Sequence, residues 1–328
     1  MFRWRTYDTF DLIINIIGFS AIFMYKKSAD GFDNPLLEYI TGGIGFYILD
    51  TTMGKSPFAW FIACMSYMTT EQQWITFKLW LTSYISNEIF AYTIAASIAF
   101  TATYSLHGMY LLFFSHVLGD NQRAKLHVKK VQENKHVPFE KIMDALPTMF
   151  KNLLTLAYPF MGIIVLYSFK TTNGLRFDKL PTFTERFWSL LSVILTNEVL
   201  FYYSHRALHH PKLYAKFHKK HHEFTSPVGA VAIYCTQIEF LVSDLLPLGV
   251  GLLFPYAAHA HFALTWIIAA NIATQVHHSG MHMPYALGID EQPTYHDLHH
   301  KHFNYNYGAI GILDKIHGTE YITKDVIS

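Results

Sequence analysis

Cysteine and charge are what this chain has least of. Only Cys64 and Cys235 occur in 328 residues. They are far apart in apolar surroundings and read as two buried thiols, which excludes both a disulfide framework and a cysteine-based zinc motif. Charged residues make up 15%, against about a quarter in ordinary soluble domains, so the polar surface a soluble globule needs is missing. The formal net charge of +1 leaves no basic footprint for a nucleic acid, and none is expected as a partner. No glycine loop of the phosphate-cradling kind occurs, and the ending I-T-K-D-V-I-S carries neither a K-D-E-L signal nor a prenylation motif. Lys26 and Lys27 follow the apolar stretch Ile13 to Met24, where a cleavable leader would need small residues. That stretch therefore reads as an uncleaved membrane segment.

What is present is apolar: 51% hydrophobic and 16% aromatic residues. Phe10 to Tyr25 is short, interrupted by Asp11 and Asn15, and reads as a span or an interfacial helix. Tyr39 to Met53, with Gly42, Gly43 and Gly45, and Pro57 to Met68 are each too short to cross alone, since a span takes about 20 mostly apolar residues. Glycines of this kind allow helices to pack closely. Ile89 to Leu118 is either one tilted span or a tight re-entrant pair. The most polar stretch, Asp120 to Lys141, carries Arg123, Lys125, Lys129, Lys130 and Lys135 and is expected on the cytosolic side. Leu153 to Phe169 and Phe187 to Ser204 are two further spans, which return the chain to the side of that basic loop. Val228 to Val276 is apolar, and its first third, with Gln237, Glu239 and Asp244, reads as interfacial. Leu245 to Ala258 and Phe262 to Val276 read as a helical hairpin dipping into the bilayer and back, with Pro247 and Pro255 supplying the turn. The expectation is an all-α, multi-span integral membrane bundle under a cytosolic, histidine-rich helical cap. Residues 1–150 would form an N-terminal membrane-associated region with the basic loop, and residues 151–328 the catalytic domain.

Histidine is the residue in excess, with 20 in the chain. Half of them follow a repeated pattern. His205 and His209 are four apart; His218, His221 and His222 fall at i, i+3 and i+4. His278 and His282 repeat the pair, and His296, His299 and His300 repeat the triple. Residues three and four apart share a helix face, so each cluster can aim its rings at one point. A solvated face would explain one such cluster but would not need the repeated spacing. Ten imidazoles exceed what one ion can coordinate, which predicts a two-metal site. For the clusters to meet, the segment between the second and third must cross the bilayer an even number of times.

Imidazole suits iron, zinc, copper and nickel alike, so the ligand type does not name the metal. A closed structural zinc takes four ligands, fewer than are offered here. Two uses remain: dioxygen activation against a lipid C–H bond, or metal transport, which would need ionisable groups well inside the spans. Glu198, two helical turns before His205, is a candidate to hold a ligand ring through its other nitrogen. Its alternative role is a structural hydrogen bond to a neighbouring helix. Glu239 and Asp297 are weaker candidates for orienting a ligand. His210, His277 and His302 lie outside the repeated spacing, and His116, His127 and His136 read as surface residues.

The runs H-R-A-L-H-H, H-K-K-H-H-E-F-T-S-P-V-G, H-S-G-M-H and H-D-L-H-H-K-H-F-N-Y-N-Y-G, closing with L-D-K-I-H-G-T, resemble the fatty acid hydroxylase superfamily of membrane di-iron enzymes. The resemblance covers roughly Thr182 to Tyr321; the first 150 residues carry no specific signature. H-H-E-F-T-S-P-V-G followed by Q-I-E looks most like the sterol C-4 methyl oxidase branch, while H-F-N-Y-N-Y-G is shared in style with sterol C-5 desaturases. The resemblance implies an O2-dependent monooxygenase with His205, His209, His218, His221, His222, His278, His282, His296, His299 and His300 as ligands of two iron ions. Zinc could substitute in a purified sample. It further implies a sterol or other lipid substrate and an endoplasmic reticulum membrane location with the boxes facing the cytosol. Electrons would come from NAD(P)H through a cytochrome b-type carrier and its reductase. Asn121 to Lys135 and Lys212 to Lys220 could dock that carrier.

Overall fold

Long apolar runs can satisfy their backbone groups in a bilayer only as helices or closed barrels, and helices are what form. The computed structural model describes residues 6–54, 57–254, 257–282 and 292–321. Helices Thr6–Ala29, Pro35–Thr52, Pro57–Met68, Glu71–Tyr84 and Glu88–Leu112 come first, then Phe139–Asn152, Tyr158–Thr172, Phe183–Leu208 and Ala260–His277. Polar residues start several of them, as side-chain oxygens must accept the first free N–H groups. Asn34 caps Leu37, Asn87 caps Phe90, and Thr70 and Thr182 form reciprocal boxes with Gln73 and Glu185.

Three helical segments are long and apolar enough to cross a membrane: Asp11–Ala29, Glu88–Val117 and Phe139–Thr172. The first settles the reading of the N-terminal apolar run in favour of span length. The second is one continuous helix ending in a π-helical turn, Phe113–Val117, rather than a re-entrant pair. Residue 150 falls inside the third, so no linker marks that position.

Two prolines are absorbed rather than used as turns. Proline lacks an N–H and its ring crowds the carbonyl four residues back; a widened π turn makes room. Leu153–Ala157 precedes Pro159, and Phe240–Leu245 precedes Pro247. Helical structure therefore continues through Pro247 to Leu253, against the expectation that this proline turns the chain. Pro255 lies outside the described residues.

The bundle has two distinct ends. At the far end, Glu38 accepts N–H groups of Phe183 (2.6 Å) and Thr184 (3.3 Å), and the Lys26 ammonium donates to the Thr69 carbonyl at 2.7 Å. Arg186 donates to Nδ1 of His261 there, at 3.2 Å. The Phe183–Leu208 and Ala260–His277 helices thus start together and run to the end that carries the histidines. Residues 237–253 run the opposite way between them, so this stretch and Ala260–His277 form a hairpin that reaches the far end and returns to the histidine end. Cores of interlocked aromatics, among them Phe19, Phe46, Tyr67 and Phe183, hold the far half together.

One short antiparallel pairing, Lys129–Lys130 against Met281–His282, ties the basic loop to the third histidine box. Val131 N–H extends it by donating to the Gly280 carbonyl at 2.9 Å. The basic loop and the histidines therefore share one end of the bundle.

Gly251 is where the descending segment meets the backbone of the Phe183–Leu208 helix most closely. A Cβ placed there would lie 2.6 Å from Val193 Cα, a backbone atom that cannot step aside. Gly251→Ala is expected to cost about 1–3 kcal/mol by overpacking, read as a lowered thermal midpoint of the detergent-solubilised protein.

Candidate metal centre

The first triple does not sit on a regular α-helix. His218 ends a π-helical turn, Tyr214–His218, and His221–Glu223 is a 3-10 turn. The second triple lies on the Gln292–His302 helix. Successive residues on such a helix are about 100° apart, so His299 and His300 point in different directions while His296 and His300 share one.

That divergence divides the ligands. His205, His209, His218, His222 and His299 converge in one group, and His221, His278, His296 and His300 in a second. Within each group, one ring nitrogen per residue lies within 4.8 Å of all the others. Each triple therefore gives two imidazoles to one group and one to the other: His221 leaves His218 and His222, and His299 leaves His296 and His300. This corrects the expectation that a cluster aims all its rings at one point. The groups touch, with the rings of His222 and His300 4.7 Å apart and those of His221 and His222 5.6 Å apart.

His282 is the one expected ligand that joins neither group. The helix ends at His277, Gly280 takes a positive φ of 63°, and His282 is in extended backbone. Its pairing with His278 as helical neighbours fails for that reason. Its Nε2 instead lies 2.6 Å from the Thr294 hydroxyl.

The remaining ring nitrogens show what the groups are built to hold. Nδ1 of His205 donates to the Tyr307 carbonyl (2.8 Å), Nδ1 of His299 to Tyr305 (2.7 Å) and Nδ1 of His278 to Thr274 (2.8 Å). A neutral ring that donates from Nδ1 keeps a lone pair on Nε2. These Nε2 atoms face others at 2.9–3.2 Å, as between His205 and His218, or His278 and His221. Facing lone pairs repel unless a cation lies among them, and neutral imidazoles are the form that binds metal. Burial holds the rings in that form, pressing His218, His221, His222, His296, His299 and His300 well below the usual imidazole range. The residues present therefore fit a pair of imidazole-bound metal ions.

Of the three candidate acids, one touches the ligands. Glu239 Oε1 lies 2.8 Å from Nδ1 of His218 and 3.8 Å from Nδ1 of His221, one ring from each group. Glu198 touches no imidazole. It accepts the N–H groups of Ile310 (2.8 Å) and Leu313 (3.0 Å), the structural alternative considered for it. Asp297 accepts from Gln132 at 2.8 Å and so anchors the basic loop.

Asp314, passed over in the sequence, completes this support. Fully buried, it accepts N–H from Tyr307 (2.9 Å) and Gly308 (2.6 Å) and hydroxyl bonds from Tyr295 and Thr319. With Glu198 it clamps the turn whose carbonyls, at 305 and 307, aim His299 and His205. Asn306 sits between those carbonyls at φ 55°, a conformation asparagine tolerates. The signal was available, because Asp314 lies in the quoted run L-D-K-I-H-G-T.

Fold and site together define a membrane-spanning helical protein with a two-part histidine centre at one end. Residues 190–319 match the profile of the Fatty acid hydroxylase family, over the stretch whose histidine boxes carry the resemblance. The chain is 38% identical to Fatty acid hydroxylase domain-containing protein 2 of Homo sapiens over 198 residues, 60% of this chain and 57% of that relative. It is 31% identical to Fatty acid hydroxylase ahd1 of Mycosarcoma maydis over 192 residues, 58% of this chain and 48% of that one. Methylsterol monooxygenase 1 of Gallus gallus is 26% identical over 199 residues, 58% of this chain and 66% of the relative. The chain thus spans about half to two thirds of the length of these relatives. No solved structure matches it.

His222→Ala and His300→Ala each remove a ring from one group and are expected to retain about one ion per chain instead of two, by elemental analysis of the purified protein. Glu239→Ala is expected to weaken metal retention by about 10–100-fold, in both groups. Acid should also destabilise the metal-free protein. His278 is held down to about 4 by burial, whereas an imidazole in the unfolded chain takes its proton near pH 6.5. Between those values the unfolded state binds more protons, so stability falls as pH drops through that window, followed as the thermal midpoint.

Proposed function

We propose that this protein is a membrane di-iron monooxygenase that oxidises a methyl group of a sterol. The observation that carries the reading is the pair of interlocked imidazole groups at one end of an apolar helical bundle. The five-ring group would hold one iron and the four-ring group the other, with Glu239 steadying one ring of each. Bound iron supplies dioxygen activation, chemistry that side chains alone do not perform. The chain's own part is to keep the imidazoles neutral and oriented, to exclude water by burial, and to offer an apolar path for a lipid.

An apolar cavity supports a lipid substrate. It has a volume of about 80 Å³ and opens between the Glu88–Leu112, Tyr158–Thr172 and Ala260–His277 helices. Its lining is almost wholly apolar, including Phe100, Phe160, Ile164, Leu252 and Trp266. It lies within the helical bundle. Asn271 marks its approach to the centre, two helical turns before His278. One turn further, Gln275 pairs with Nδ1 of His107 at 2.8 Å and donates to the Tyr104 carbonyl at 2.8 Å.

The methylsterol monooxygenase relatives and the run H-H-E-F-T-S-P-V-G favour a sterol. Higher identity to fatty acid hydroxylase domain proteins favours a second reading, hydroxylation of another lipid by the same centre. Sterol C-5 desaturation is separated by product mass, since hydroxylation adds oxygen and desaturation removes two hydrogens. Metal transport, the remaining alternative, is tested by ion flux in vesicles.

Under this reading the protein resides in the endoplasmic reticulum membrane with the histidine end in the cytosol. A cytochrome b-type carrier and its NAD(P)H-dependent reductase supply electrons there. Lys212, Lys216 and Lys219 are exposed for docking that carrier, whereas Arg123 is buried and donates to the Leu118 carbonyl. Residues 1–150 serve as membrane scaffold and residues 151–328 as the catalytic part.

Cells lacking the protein are expected to accumulate 4-methylsterols, measured by sterol profiling; an unchanged sterol profile with loss of another hydroxylated lipid would select the second reading. Ala270→Trp, which fills the cavity, is expected to lower turnover by at least about tenfold while metal content stays unchanged, measured by product formation and elemental analysis.

A further inference from the structure

Three tyrosines from two separate parts of the chain connect the five-ring group to the protein surface. The ring of Tyr307, from N-Y-N-Y-G, packs on His209 (centroids 5.2 Å apart), His299 (5.8 Å) and His205 (6.0 Å). Tyr202 follows at 6.2 Å, edge to face and fully buried. Tyr203 is next, 5.2 Å from Tyr202 and 51% exposed. His317, from the L-D-K-I-H-G-T run, stacks on Tyr202 (5.2 Å, 12° between planes) and lies with its Nε2 3.0 Å from the Tyr203 hydroxyl.

We propose that Tyr307, Tyr202 and Tyr203 form a chain that carries oxidising equivalents away from the metal centre when no substrate is there to consume them. The inference rests on the dioxygen-activating reading of the centre. A reactive oxidant formed without substrate attacks whatever is nearest, and here that is the ligand imidazoles. Aromatic rings in contact give up electrons in succession, so an electron reaches the centre from Tyr307, is replaced from Tyr202, and that one from Tyr203.

The hydroxyl partners decide where the vacancy comes to rest. Tyr202 accepts a hydrogen bond from Arg206 at 2.9 Å, and its other neighbour is the Thr319 hydroxyl at 3.1 Å. Neither takes a proton, so an oxidised Tyr202 does not persist. Tyr203 has His317: on losing its electron it passes the hydroxyl proton to Nε2, leaving a neutral tyrosyl radical and an imidazolium. A small thiol in solution then supplies a hydrogen atom to Tyr203, two such thiols pair as a disulfide, and His317 releases its proton to water. Tyr214 packs on the same group, 5.7 Å from His209, 6.1 Å from His218 and 6.0 Å from His222. Among the described residues, however, no base lies at its hydroxyl.

The test uses the full-length, iron-loaded protein, chemically reduced and exposed to dioxygen without lipid substrate, in the presence of a nitroso spin trap. Oxygen consumption, electron paramagnetic resonance and peptide mass spectrometry are recorded. A tyrosyl signal with the trap attached to Tyr203 is expected. Tyr307→Phe and Tyr202→Phe should lose that adduct and gain oxidised histidine at positions 205, 209 and 299, with iron content at the wild-type level at the start. Dioxygen consumption with trap on Tyr214, or an equal Tyr203 adduct in wild type and Tyr307→Phe, would overturn the chain while leaving the oxygenase reading intact. No dioxygen consumption by the iron-loaded wild type would overturn both.

Discussion

Everything at the histidine end depends on the crosswise division of two triplets between two ion positions. Had each triplet served one ion, the positions would be held by independent pieces of chain and could drift apart. Because His221 and His299 each sit with the other triplet's partners, moving either element disturbs both groups. Glu239 adds a second link of the same kind, since its one carboxylate faces a ring from each. The arrangement concentrates nine neutral imidazoles in a buried volume, which costs desolvation of every ring and is offset only if cations occupy the centres of the groups.

Support for that arrangement comes from well outside the boxes. Two buried acids, Glu198 and Asp314, hold the turn at 305–313 by its N–H groups, and the turn's carbonyls in turn aim His299 and His205. A carboxylate does not have to touch an imidazole to orient it; here a backbone turn transmits the constraint. The basic loop is fastened on the other side, through Gln132 to Asp297 and the Thr225 carbonyl and through its pairing with Met281–His282. The N-terminal portion of the chain thus contributes to the housing of a centre whose ligands all lie in the C-terminal portion.

The bundle supplies reach. The Phe183–Leu208 and Ala260–His277 helices carry the chain from the far end to the ligands, and the stretch between them returns it through a widened turn that admits Pro247. Such turns recur, at 153–157 ahead of Pro159, and they let helices that would otherwise break stay long enough to cross. The apolar cavity lies between the Glu88–Leu112, Tyr158–Thr172 and Ala260–His277 helices, and the buried Gln275–His107 pair joins the first of these to the last.

Local spacing determined a good deal by itself. Helical class, the apolar segments, the excess of histidine and the fatty acid hydroxylase resemblance all follow from residue types and intervals of three and four, because these depend on periodicity along one element. Tertiary structure alone decided which rings meet. His282 has the right interval from His278 yet is lost to the centre, because the helix stops at His277 and Gly280 turns the backbone. Asp314 has no telling interval from any of the ten clustered histidines yet supports two, because the turn folds it back beneath them. Spacing reports which side chains share a face only while the helix continues; once it ends, direction is set by the packing of segments distant in sequence.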